Sequence, residues 1–165
     1  MFVTFGSWLE DEFGFTEAGI SAVVFGLGAF ELLASVTSAR RTDVWGKERS
    51  TIFGASLILP AGLLLTFGHN NEVIGLILLG VYLLGFEFSI VSMLPLSANL
   101  IPTSPCRGLG IVLAGGTMGR ASMSLIATAT YDKFGINVPA FIGAICAAAT
   151  IGCIVAYGRT TPNNV

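Results

Sequence analysis

Charge is what this sequence has least of. Eight Lys plus Arg and ten Asp plus Glu make up 11% of its 165 residues, where a soluble domain carries roughly a quarter. So few bases leave no basic stripe for a nucleic acid, and nucleic-acid binding is excluded. A hydrophobic content of 53% excludes a disordered chain as well. Histidine occurs once and cysteine three times, and no pair of these has metal-ligand spacing, so neither a metal nor a disulfide is expected. His69 sits in a polar tetrapeptide and reads as a solvated loop residue. Cys146 and Cys153, seven apart in an apolar run, read as buried on one helical face. Also missing are a nucleophile-base pair and a glycine-rich loop between strand and helix, which argues against an enzyme and against any cofactor.

What the sequence has instead is long apolar runs, 12 Phe, 21 Gly and a mean hydropathy of +0.81. About 20 apolar residues cross a bilayer core, and five stretches meet that length or approach it: 15–39, 51–67, 73–100, 105–131 and 138–157. The expected fold is all-α, a polytopic transmembrane bundle in a single membrane domain with a partial span at the N-terminus. Short polar segments between the stretches force antiparallel neighbours. Asn71 before Glu72 and Ser104 before Pro105 read as helix starts, while Pro60 and Pro95 fall inside spans.

Orientation follows from where the bases lie, since Lys and Arg are retained on the cytoplasmic side. Arg40, Arg41, Lys47 and Arg49 in the first connection, Arg107 bordering the third at the start of the fourth span, and Arg159 after the last alternate onto one side. Lys133, Glu10 to Glu12 and Glu72 fall on the other. This predicts a multi-pass protein of the plasma (inner) membrane with a cytoplasmic C-terminus at 158–165. With Glu10 to Glu12 outside, residues 1–14 read as the outer end of a truncated helix and an outer loop. Met1 to Leu9 reach only about 13 Å at 1.5 Å per residue. A short interfacial anchor around Phe5 and Trp8 is the alternative.

The first connection reads Ser38-Ala39-Arg40-Arg41-Thr42-Asp43-Val44-Trp45-Gly46-Lys47-Glu48-Arg49. Its D-x-x-G-K-x-R core resembles the loop signature of the major facilitator superfamily, a G-x-x-x-D-R-x-G-R-R pattern between the second and third helices of each six-helix half. Asp43, Gly46, Lys47 and Arg49 match. Ala39, Arg41, Val44 and Glu48 depart from it, as is ordinary for the copy in the second half. Downstream, Arg107-Gly108 followed by Gly115, Gly119 and Arg120 resembles helix eleven of that family. The resemblance covers nearly the whole chain, as the end of helix seven plus helices eight to twelve. It implies a secondary transporter working by alternating access, with an N-terminal half that is missing from this chain. Asp43 would be the latch on the inward face and Gly46 the tight turn, with Lys47 and Arg49 pairing acids. Alternatively, these bases set topology and touch anionic lipid.

Three ionisable residues fall inside spans: Glu31, Glu87 and Arg120. Each is costly there unless paired or facing a wet cavity. Either glutamate is a candidate to carry a proton or contact a cationic substrate, with Arg120 as counter-charge; a structural bridge without a transport role is the other reading. Tyr82, Phe86 and Phe88 are candidates for a substrate path or for plain helix contacts. Gly115 with Gly119, and Ala22 with Gly26, have the small-residue spacing of helix-packing faces. The expected partners are therefore a small-molecule substrate, protons, the lipid bilayer and the second half. The expected activity is proton-coupled efflux of a drug or metabolite, with uptake of a sugar or organic acid as the variant. A small membrane scaffold or assembly subunit without transport activity is the alternative.

Overall fold

Where side chains are apolar for a bilayer's width, the backbone must satisfy its own hydrogen bonds, and the helix is the local way to do so. The computed structural model describes residues 4–160, nearly all of them helical. Met1 to Val3 of the expected N-terminal piece and residues 161–165 of the expected tail lie outside them. The order is α1 (Phe5–Phe13), α2 (Glu17–Trp45), α3 (Lys47–Gly68), α4 (Glu72–Ala98), α5 (Pro105–Phe134) and α6 (Asn137–Thr160). Five of these, α2 to α6, are long and apolar enough to cross a membrane. The chain is an all-α helical bundle.

The starts and stops have local causes. Thr16 caps α2 by accepting from the Gly19 N–H, and Asn71 caps α4 by accepting from the Ile74 N–H at 3.2 Å, with Glu72 in the first turn. Pro105 opens α5 where its missing N–H costs nothing. Two boundaries differ from the expected ones. Glu10 to Glu12 are not an outer loop but belong to the last turn of α1, which Gly14 ends in the left-handed region at φ 65°. The charged connection 38–50 is helical as well: α2 runs to Trp45, α3 starts at Lys47, and Gly46 alone joins them at φ 91°. Arg, Lys and Glu are good helix formers, so loss of hydrophobicity did not end either helix.

The bundle is built on the α3–α4 pair. Gly54 and Gly85 put the two backbones in contact: a Cβ on Gly54 would lie 2.5 Å from the Ser89 nitrogen, and one on Gly85 would lie 2.8 Å from the Gly54 oxygen. The Ser89 hydroxyl donates to the Thr51 carbonyl at 3.2 Å beside that crossing. α6 lies on α3, with Ala140 and Ala144 against Gly62. Ala140, Ala144, Ala147 and Ile154 form its buried stripe while Cys146 and Cys153 are exposed, so the expected burial of those two cysteines is not found. α2 lies on α4, and α5 touches α4 and α6 more lightly, burying only Gly108 and Ala127 among the described residues. Trp8 and Leu9 of α1 are fully buried and join the main apolar cluster, with Trp8 packed at Gly75. The Tyr131 hydroxyl donates to the Asp11 carboxylate at 2.7 Å and ties α5 to α1.

The stability of the bundle should therefore depend on Gly54. In the detergent-solubilised protein, Gly54→Ala is expected to cost about 1–3 kcal/mol by forcing the helices apart, lowering the thermal midpoint. Gly26→Ala, where a Cβ meets nothing within 4 Å, should leave that midpoint unchanged. Equal midpoints for the two variants would remove the crossing from its central place.

Candidate functional site

α2 and α4 meet along a seam of polar side chains in otherwise apolar helices. Glu31, Ser35, Ser38 and Thr42 recur at helical spacing and share one face of α2. The Ser35 hydroxyl donates to a Glu87 carboxylate oxygen at 2.6 Å. Glu31, one turn before Ser35, is close enough to feel the Glu87 charge. Further along, the Ser38 and Ser92 hydroxyls lie 2.7 Å apart and those of Thr42 and Ser92 3.0 Å apart. Ser38 also lies within hydrogen-bond distance of the Phe88 carbonyl, to which it donates at 3.3 Å. Ser38, Thr42 and Ser92 are buried, each with a partner, so no hydroxyl of this group is left exposed to lipid.

The seam ends at the α2–α3 joint, where the candidate motif lies. Asp43 and Arg49 are exposed and Lys47 is half-buried. Gly46 is the turn residue, in a conformation that a side chain would strain. Around it the aromatic rings gather: Phe53 stands edge-on to Phe88 with centroids 5.5 Å apart and to Trp45 at 5.8 Å. The Arg41 guanidinium sits 5.9 Å from the Trp45 ring centre. Phe88 thus belongs to this cluster.

On the other side of α4 is a cavity of about 540 Å³ between α3, α4, α5 and α6. Tyr82 and Phe86 line it, with Ala55, Ile58, Ile142 and Gly143 among other apolar neighbours. Among the described residues, Arg120 of α5 is the one charged side chain in its wall, and Gly116 and Gly119 lie beside it. The structure therefore places Glu31 and Glu87 along the same seam, one turn of α2 apart through Ser35, and Arg120 in the wall of the cavity.

The small-residue candidates also take their places. Among the described residues nothing lies within 4 Å of a Cβ built on Gly26, Gly115 or Gly119, and Ala22 is exposed. Close approaches occur at Gly54, Gly85 and Gly108 instead. The hydroxyls of Ser35, Ser38, Thr42 and Ser92 join the site without belonging to any of the sequence motifs. Their signal is the 35-38-42 spacing of hydroxyls on one face of an apolar helix.

Ser92 is the centre of the hydroxyl group, and its loss strips two buried neighbours of a partner. Ser92→Ala should destabilise the protein in detergent by about 0.5–2 kcal/mol, the range measured for polar contacts between membrane helices. Ser122→Ala, whose hydroxyl only returns to its own helix at the Met118 carbonyl, should be neutral in the same thermal melt.

Compared with family models, curated proteins and solved structures, the chain matches none.

Proposed function

We propose that this chain is one half of a two-part secondary transporter of the major-facilitator type, which moves a small solute by alternating access and couples it to protons in the direction of efflux. The observation that carries the reading is the placement of two carboxylates, Glu31 and Glu87, on one seam within the span of the membrane. Two acids near enough to feel each other's charge in an apolar setting repel, and a proton taken up at one of them relieves that repulsion. Such a pair is a place to take up a proton on one side of the membrane and release it on the other. Ser35 keeps the Glu87 carboxylate hydrogen-bonded.

Two further features support a second half. α2 and α5 present exposed apolar surface, with Phe25 83% and Leu125 76% exposed. Gly26 and Gly115 lie open on these two helices, which suits close approach by other helices. Asp43, Gly46, Lys47 and Arg49, resembling the family's loop signature, would form the latch at the cytoplasmic end. The protein then resides in the plasma (inner) membrane with its C-terminus in the cytoplasm, as the distribution of bases favours.

Efflux is measured in cells expressing the full-length gene, with both halves, challenged with a panel of toxic organic cations and anions. Extrusion of at least one compound should collapse with a protonophore, fall at least tenfold with Glu87→Gln and fall more mildly with Glu31→Gln. Proton dependence that is unchanged in the double variant would sink the proton role. Saturable uptake by the 165-residue chain alone in liposomes would sink the half-transporter reading.

A further inference from the structure

The cavity between α3, α4, α5 and α6 has a chemistry of its own, separate from the carboxylate seam. Its volume of about 540 Å³ is of the size that takes a small organic molecule. Its wall is apolar apart from a few groups, and most of these are already engaged. The Ser89 hydroxyl donates to the Thr51 carbonyl and the Thr150 hydroxyl to the Cys146 carbonyl. Besides the Tyr82 hydroxyl and the Cys146 thiol, what remains is the one charge, Arg120, on a membrane-spanning helix, with no carboxylate paired to it among the described residues. A guanidinium is always charged and presents a planar fork of donors that fits a carboxylate with two parallel bonds. In apolar surroundings an unpaired guanidinium is costly, so an anion is favoured and a cation is repelled. One arginine balances one negative charge, and the Tyr82 and Phe86 rings with the aliphatic wall suit an apolar body.

We infer that this cavity binds an organic monocarboxylate with an apolar body, its carboxylate on Arg120 and its body among α3, α4 and α6. As the transported substrate this ligand rests on the transport reading above; as a bound ligand it stands independently of it. Such an acid can arrive from water, as an aromatic acid does, or from the bilayer, as a fatty acid does. The chemistry recognised at Arg120 is the same.

The test uses the full chain in nanodiscs of phosphatidylcholine, with 2-naphthoate as the aqueous probe, dodecanoate as the bilayer-derived competitor and 2-naphthylmethanol as the neutral control, read by titration calorimetry. Saturable 2-naphthoate binding, or saturable dodecanoate binding, is expected, weakened about tenfold or more by Arg120→Gln and retained in part by Arg120→Lys. The alcohol should bind weakly and with no difference between wild type and Arg120→Gln. Gly119→Leu provides the second arm, because Gly119 lines the cavity and a Cβ there meets nothing within 4 Å. It should fill the space and abolish binding while leaving the thermal midpoint unchanged. Equal affinity of wild type and Arg120→Gln, undiminished binding in Gly119→Leu, or no saturable binding of either acid would overturn the inference. Loss of transport with carboxylate binding intact would count against the transport reading and leave this site standing.

Discussion

The backbone contact between α3 and α4 at Gly54 and Gly85 governs most of what the other helices can do. Between lipid-facing helices there is no hydrophobic drive to associate, because lipid tails are as apolar as the side chains; close packing and hydrogen bonds must supply the attraction. Removing two side chains at the crossing lets many backbone atoms reach van der Waals distance, each contact small and the sum considerable. The crossing also fixes which way the neighbouring residues of α4 face, since each turns about 100° from the last. Gly85 faces α3, Phe86 lines the cavity and Glu87 meets Ser35 of α2. Ser89, one turn on, returns to α3 and donates to the Thr51 carbonyl. Three consecutive residues thus address three different neighbours, and one shift of register would misplace all of them.

α4 thereby separates charges of opposite sign. The acids lie in its seam with α2, and the base lies across the cavity on α5. Had Arg120 closed on a glutamate, the desolvation cost of each would have been offset locally and the pair would be a structural bridge. Keeping them on opposite sides leaves each in need of something else. The seam offsets part of its cost through the Ser35 bond and the Ser38, Thr42 and Ser92 group, which leaves no buried hydroxyl of that group unpaired. Arg120 has no equivalent support among the described residues. That asymmetry makes the seam a finished structure and the cavity an open one.

Local features of this fold were legible in the sequence because their causes are local. The five long helices follow from runs of apolar residues, the start of α4 from Asn71 and Glu72, the start of α5 from Pro105, and the turn at Gly46 from a conformation only glycine takes easily. What the sequence hid were relations between distant residues. Gly115 and Gly119 have the spacing of a packing face, yet among the described residues nothing comes within 4 Å of a Cβ built on them, whereas Gly54 and Gly85, on different helices, make the tightest backbone contact between α3 and α4. Spacing along one helix says which residues share a face and not whether another helix comes to it. The same holds for Cys146 and Cys153, which do share a face of α6, but an exposed one. Ser38 and Ser92 stand 54 residues apart, and no pattern along either helix pairs them. For the site, the glutamates and Arg120 were recognisable by their cost in an apolar span, while their division between seam and cavity depends on how four helices pack around α4.

α5 explains why there is a cavity at all. Near its start Gly108 comes so close to α4 that a Cβ would lie 2.6 Å from the Ser97 oxygen, and near its end Tyr131 is tied to Asp11 of α1. Between these two attachments Ala127 is its only other buried residue among those described. A helix held at both ends would fill the interval with side chains if it carried large ones, but at Gly116 and Gly119 it carries none. The glycines that look in sequence like a means of drawing helices together act here by withholding volume. The space they leave is the one into which Arg120 opens, so the small residues and the unpaired base, which have no evident relation along the chain, are two parts of one binding volume.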